Sequence, residues 1–475
     1  MKEQATPTMS RRHFLKMMAV GTAGAILAAC APKVTPTPEP TQPQEEAPKT
    51  GGLQIESGKL TCLLCCGTDD THELQQRFNA YFDETYPSIT TSLELTPGGT
   101  NYFEKLQTLI AAGTPPDVFD MWEGYVQPYA ANGVLMDLTP YIQADPEWKM
   151  DDFQPAAVAA ASYQNRLYSI VRDFYPGPAM FFYNKDLFDK AKVEYPTFDW
   201  NWNKMREAAI ALTMDNSGDG KVDQWGLAFE PWFVSWLFWI WSNGGDLFSA
   251  DETKCALTDP KAYEALQFWA DLVNVDKCAL PSSEAQAMQG ASNAFRTGVL
   301  GMFQGYAWNI SEMKAAKEQG LNWGCVLPPG APTTNKRSFY MHLESWAAAK
   351  ETKVPNACWQ YIRDFTTKFN AEFISYFPGI PMLKDQIGLF LNEENKSYGW
   401  DKLPDIISDP MNIRIPGAGA KFDKISQLVQ AELDLVFAGE KHAKDAVETA
   451  CPQVNDELAR QSSFSVPEGC DCYTN

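Results

Sequence analysis

Short apolar runs alternate with segments whose apolar residues recur every three or four positions, and this alternation continues from about residue 59 to the C-terminal part of the chain. Leu60-Thr61-Cys62-Leu63-Leu64-Cys65-Cys66 reads as a buried strand. After Gly67-Thr68-Asp69-Asp70, the fourfold spacing of Leu74, Phe78 and Phe82 predicts a helix capped by Asp70 or Thr71. Thr90 to Leu95 alternates as a short strand. A helix from about Tyr102 to Ala112 turns Leu106, Leu109 and Ile110 inward, and Gly113 closes it before Pro115-Pro116. Asp117-Val118-Phe119-Asp120-Met121-Trp122 is a further strand leading to Glu123. Arg166 to Val171 and Pro178 to Tyr183 are strand-like on either side of Arg172-Asp173-Phe174-Tyr175-Pro176-Gly177. A helix covers Trp202 to Thr213, Trp232, Trp236 and Trp239 share one helical face, and Ile425, Val429, Leu433 and then Val447, Ala450, Val454, Leu458 mark two late helices. The pattern predicts an α/β fold with mostly parallel strands and no internal repeat. In open sheets of this kind ligands sit beyond the carboxyl ends of strands, the edge that carries Asp69, Asp70, Trp122 and Glu123.

Residues 1–29 follow a different logic. Ser10-Arg11-Arg12-His13-Phe14-Leu15-Lys16 reads as a twin-arginine export signal, and Leu27-Ala28-Ala29 before Cys30 as a lipoprotein cleavage site. The stretch from Leu15 to Ala29 is too short, and at Lys16 too interrupted, for a spanning helix of about twenty residues. The mature chain is expected to begin at a lipidated Cys30 and to meet the membrane through that anchor only, on the extracytoplasmic face. Residues 30–58 form the tether, dominated up to Thr50 by Pro, Thr, Glu and Gln, which bury too little surface to offset the entropy of ordering.

Composition narrows the partners. With 475 residues, 45% hydrophobic and 13% aromatic, the chain has material for a large core or two lobes. Its formal net charge of −21 becomes about −24 once residues 1–29 are removed, which repels nucleic acid and anionic lipid. Eleven cysteines in an exported chain read as a disulfide inventory, ten after Cys30 is lipidated, with pairing open. Cys62 and Cys65 are three apart on a strand and point to opposite faces, so they neither pair nor share a metal.

Several segments, in order, resemble the solute-binding subunits of ABC importers, in particular the family that includes maltose-binding and other sugar-binding proteins. They are Gly113-Thr114-Pro115-Pro116-Asp117-Val118 with Ala131-Asn132-Gly133-Val134-Leu135-Met136-Asp137-Leu138-Thr139-Pro140, and Leu167-Tyr168-Ser169-Ile170 with Phe182-Tyr183-Asn184-Lys185-Asp186-Leu187-Phe188. Asp223-Gln224-Trp225-Gly226, Ala294-Phe295-Arg296-Thr297-Gly298 before Gly305-Tyr306-Ala307-Trp308, and Gly379-Ile380-Pro381 complete the set. The resemblance implies a two-lobed periplasmic-binding-protein-like fold of type II, with a ligand cleft between lobes joined by a hinge. Crossings near Asp173, Pro332 and Pro381 would divide it into residues 59–173 plus 335–383 and residues 174–334 plus 384–475. It also implies a carbohydrate ligand, ABC importer permease subunits as partners, a monomer, and no cofactor.

A sugar offers hydroxyls to carboxylates, amides and Arg, and C–H faces to aromatic rings. By strand-end position or by resemblance, the expected contacts are Asp69, Asp70, Trp122, Glu123, Asp173, Glu230, Trp232, Gly245, Tyr306, Trp308, Glu344, Trp346 and Arg414. Asp69 and Asp70 equally suit helix caps, and Gly245 a helix C-terminus. Trp236 and Trp239 read as core. Asp215, Ser217, Asp219 and Asp223 with Gly220 imitate the first nine positions of a calcium loop, but Gly226 stands where the bidentate acid belongs, so a plain turn is the stronger expectation. No Gly-x-Ser-x-Gly, His-Glu-x-x-His or Walker loop is present, which argues against an enzyme. The alternatives are a lipid-anchored polysaccharide hydrolase using two carboxylates, a binder of a polyol, polyamine or peptide, or an adhesion lipoprotein without a closable cleft.

Overall fold

The computed structural model describes residues 53–460 apart from 66–68, 97–99, 377–378, 408–411 and 418–420. The export signal, Cys30 and the tether as far as residue 52 lie outside the described residues. Among the described residues no helix is long and apolar enough to cross a membrane.

Strands β1 (Gly58–Cys65), β2 (Ile89–Thr96) and β3 (Val118–Trp122) form where the alternation places them. Between β1 and β2, the helix Asp69–Thr85 buries Leu74, Phe78 and Phe82 completely. The helix Thr100–Ala111 buries Leu106 and leaves Leu109 and Ile110 half-buried. β1 is buried on both faces: Cys62 joins the main core with Leu60 and Leu64, while Cys65 joins a second core with Leu63, Phe119 and Met121. The two cysteines therefore face opposite ways.

Further along, β4 (Ser162–Tyr163) and β5 (Arg166–Leu167) make a small hairpin. β6 (Ile170–Gly177) then runs straight through the segment expected to separate two strands. Arg172 and Asp173 break its apolar pattern, but β6 is paired on both sides and buried along its whole length, so its polar residues are sheet residues. β7 (Met180–Asn184), β8 (Trp225–Phe229), β9 (Leu300–Gly305) and β10 (Trp323–Val326) form a second sheet in the order β10-β7-β9-β8. β11 (Phe339–Ala348) returns to the first sheet, followed by β12 (Ile380–Pro381) and β13 (Ile413–Arg414). That sheet runs β12-β6-β11-β3-β1-β2, with β13 beside β11.

The sheets are mixed and not mostly parallel. Units with a helical crossover, such as β1–β2, β1–β3 and β8–β9, are parallel, but β11 meets β3 and β6 antiparallel, and β7 meets β9 and β10 antiparallel. A strand arriving from the other sheet enters without the helix that a parallel crossover requires.

The helix Phe233–Ser242 is buried from Val234 onward, including Trp236, Trp239 and Trp241. It is apolar all round and lies inside the core, wider than the single tryptophan face the spacing suggested. The C-terminal helices Phe422–Phe437 and Ala443–Ala459 pack on each other and on the helix Pro260–Asn274. A disulfide joins Cys255 to Cys451 across 196 residues, and Cys65 is also disulfide-bonded. The disulfide inventory is nevertheless smaller than expected, because Cys62, Cys278, Cys325 and Cys358 are buried thiols. They act as small core residues, and burial pushes the Cys62 and Cys278 thiols up to about 12.

Candidate functional site

The parallel strands of both sheets end at one seam. β3 delivers Trp122 and Glu123, β8 leads to Glu230 and Trp232, and β9 leads to Tyr306 and Trp308. Trp232 and Trp308 reach across to the first sheet, 5.9 and 5.6 Å from the His342 ring, and Trp308 lies 5.9 Å from Tyr175.

On the first sheet, Tyr175 stands directly across from His342, and Glu344 across from both Asp173 and Trp122. Residues opposite each other in neighbouring strands share a face, so these side chains form one stripe. The register shifts between Glu344 and Ser345, which pair with Asp173 and Val171, and Arg172 is the extra residue of the resulting bulge. A bulge re-aims a side chain. Here the Arg172 guanidinium donates to Glu344 at 2.5 Å, lies 3.1 Å from Asp120, and covers the Trp346 ring at 4.7 Å. Burial pushes Asp120 up to about 7, against the pull of Arg172 and the Cys65 N–H. Asp173 is fully buried, with neither carboxylate oxygen hydrogen-bonded. Burial, with Glu344 nearby, holds it well above the usual carboxylate range.

Glu123 is buried with both oxygens engaged: Tyr340 donates its hydroxyl at 2.6 Å, the Leu343 N–H donates at 2.8 Å, and His342 Nδ1 lies at 3.2 Å. Tyr306 is buried behind the seam, stacked on Trp308 at 4.3 Å. Its hydroxyl accepts from the Trp232 indole N–H and lies 2.5 Å from Ser235 Oγ. Tyr306 thus sets the attitude of both half-buried tryptophans.

The remaining expected contacts are placed differently. Glu230 accepts the N–H groups of Ala291 and Ser292 at the start of the helix Ala291–Arg296. Gly245 is buried against the helix Pro260–Asn274, where a Cβ would come within 2.7 Å of the Ala262 nitrogen. Trp346 is fully buried beneath Arg172, edge-on to Tyr361 and Phe365. Arg414 is held by Asp246 at 2.5 Å and stacks on Trp241 at 4.6 Å. Asp70 is exposed at the start of its helix, and the Asp69 side chain lies outside the described residues.

The loop of Asp215, Ser217, Asp219 and Asp223 turns its acids onto its own backbone. Asp215 accepts from the N–H groups of Gly218, Asp219 and Gly220, and Asp223 from those of Asn216 and Ser217. These bonds hold both carboxyls below the usual range. Among the described residues no group of three or more His, Cys, Asp or Glu is arranged to hold a metal ion.

Sequence reasoning missed Asp120, Arg172, Tyr175, Tyr340 and His342 as parts of this site. The alternation Tyr340-His342-Glu344, with Asp173-Tyr175, was the available signal for a shared strand face.

The sequence profile of the bacterial extracellular solute-binding proteins matches residues 68–367. The chain belongs to this family. A binding protein of Brucella abortus (strain 2308) is 24% identical to this solute-binding protein over 372 residues, covering 77% of this chain and 85% of that one. An ABC substrate-binding protein of Listeria monocytogenes in complex with cycloalternan superposes with a TM-score of 0.73 at 23% identity, over 86% of this chain and all of that one. The GacH receptor of Streptomyces glaucescens, solved unliganded and with acarbose, gives 0.70 at 19% identity, over 85% of this chain and 98% of that one. These likenesses show the two-lobed fold for this solute-binding protein.

Proposed function

We propose that this solute-binding protein captures a sugar or oligosaccharide between its lobes by hinge closure and delivers it to the permease of an ABC importer, tethered outside the cell membrane through a lipid on Cys30. The observation that carries this reading is the seam itself, where Trp232 and Trp308 meet His342, Trp308 meets Tyr175, and Tyr340 packs on His342 beside Glu123, Asp173 and Glu344. Flat rings suit the C–H faces of a pyranose and carboxylates suit its hydroxyls.

The chain passes from the first sheet to the second after β6 and back after β10, and beyond β12 it packs against the second sheet, where Tyr398 stacks on Trp323 of β10, which suits a hinge at those three places. Closure then follows from the extra contacts that a ligand makes to the second lobe once the seam is shut. The binding protein of Listeria holds cycloalternan, and a relative from Pyrococcus abyssi, 24% identical over 288 residues, is a maltotriose-binding protein. The site's excess of carboxylates over cations disfavours anionic solutes.

Thermal unfolding of the mature chain with maltose, maltotriose, cycloalternan and D-tagatose tests the reading, and D-mannitol probes the polyol alternative. At 100 Kd of ligand the expected stabilisation is about 2.7 kcal/mol. No rise in Tm with any of the sugars, together with scattering profiles unchanged by each, refutes the proposal.

A further inference from the structure

We propose that His342 determines which sugar is accepted: its Nε2 takes a hydrogen bond from a ligand hydroxyl, in the tautomer that Glu123 imposes. This rests on the sugar reading of the seam.

The imidazole is fixed from several sides. Tyr175 stacks on it at 5.2 Å and 24°, Trp232 lies nearly parallel at 5.9 Å and 22°, and Trp308 stands edge-on at 5.6 Å. His342 therefore packs between β6 of the first sheet and the segments that follow β8 and β9 of the second. Its Nδ1 lies 3.2 Å from Glu123 Oε1, and a carboxylate only accepts, so a neutral ring carries its hydrogen on Nδ1. Glu123 is itself immobilised by the Tyr340 hydroxyl and the Leu343 N–H, which fixes the tautomer through a preformed frame.

Nε2 is then left with a lone pair. It is buried and has no hydrogen-bond partner. The ring carbon next to it, Cδ2, lies 3.3 Å from where a Cβ on Gly177 would stand, a point also 3.3 Å from Val234 and 3.6 Å from Tyr306. Any side chain at 177 would crowd that ring edge, at the place where β6 leaves the first sheet. A buried acceptor without a donor is unfavourable, so a ligand that supplies an O–H there is favoured over one with hydrogen or an ether at the same position.

The experiment uses the mature chain with the five probes named above and the monodeoxy and O-methyl derivatives of whichever probe binds. His342→Phe keeps the stacked ring and removes both nitrogens. The expected result is an unliganded Tm close to wild type, a Kd weakened by about tenfold or more, and loss of discrimination against one deoxy derivative. His342→Gln, whose amide reaches the Nε2 position, recovers part of the affinity. Should His342→Phe not fold, selective 15N labelling of histidine in the wild-type chain decides, since only His72, His342 and His442 remain after residue 29. The His342 hydrogen is expected on Nδ1, with the Nε2 resonance moving when the probe binds. Unchanged affinity and selectivity in His342→Phe, or a hydrogen found on Nε2 in the free protein, overturns the proposal and leaves the sugar reading standing. A chain that no probe stabilises overturns both.

Discussion

Asp173 and Glu344 face each other across β6 and β11, yet the guanidinium of Arg172 bonds only Glu344. The bulge aims Arg172 along the sheet toward Glu344 and Asp120, and Asp173 is left buried beside them without a donor. Arg172 thus pairs with two carboxyls, Glu344 and Asp120, while burial holds the third, Asp173, well above the usual carboxylate range.

Arg172→Met should destabilise the unliganded protein by about 3–5 kcal/mol, because it strands the buried Asp120 and the half-buried Glu344, which now share a guanidinium. Arg166→Ala, which breaks the exposed pair with Asp137, should cost no more than about 1 kcal/mol. Urea unfolding of the two variants side by side checks the contrast. Equal losses would refute the assignment of Arg172 as the internal counter-ion.

Asp120 titrates at about 7 in the folded chain, above the value of about 3.9 for an unfolded aspartate. Between those values the folded state binds a proton that the unfolded state has lost, so the contribution is complete below about pH 4, declines as pH rises to about 7, and is level above that. Asp173 acts in the same direction. Asp120→Asn mimics the protonated acid and keeps an acceptor for the Cys65 N–H. Its stability relative to wild type should therefore climb as the pH of urea titrations is raised from about 4 to 7.

The apolar periodicity was enough to place the helix of Leu74, Phe78 and Phe82, the opposite faces of Cys62 and Cys65, and the strand end at Trp122. It failed at β6, because a central strand that carries Arg172 and Asp173 has no apolar pattern to display. The site was legible in the residues where a strand end delivers it, as at Glu123 and Trp232, and in mid-strand at Asp173 and Glu344 alone. His342 and Tyr340 lie in mid-strand on β11, and what makes them neighbours of Tyr175 is a pairing between residues more than 160 positions apart, which no local spacing encodes. Arg414 and Gly245 sit where a binding residue was expected, but ion pairing with Asp246 and helix packing on Ala262 account for them.

Trp232→Ala removes one ring from the seam and should weaken sugar binding by about tenfold or more, measured by calorimetry with the probe that stabilises the chain. Trp232→Phe keeps an aromatic face and loses only the indole N–H to Tyr306, so it should stay within a few-fold of wild type while losing about 1 kcal/mol of stability. Similar losses in both variants would transfer the role from the ring face to the hydrogen bond.

Calcium should leave the protein unchanged. The acids of Asp215 and Asp223 already satisfy backbone N–H groups of their own loop, and a cation must break those bonds to bind. Tm in excess EDTA and in millimolar calcium is expected to agree to within about a degree, a shift of no more than a few tenths of a kcal/mol. A calcium-dependent rise that Asp215→Asn abolishes would restore the loop as a metal site.

The strand β11 lies between β3 and β6, although both precede it by more than 160 residues, and its partner β13 comes later still. During synthesis the first sheet accordingly exists as the trio β2-β1-β3 and the lone strand β6, unjoined until residue 348 has left the ribosome. Such long-range pairing is slow to nucleate and keeps bare strand edges available in the interval. Truncated chains that stop before residue 339 should accumulate as aggregates, and a newly made polypeptide stays dependent on edge-shielding chaperones until its middle strand arrives.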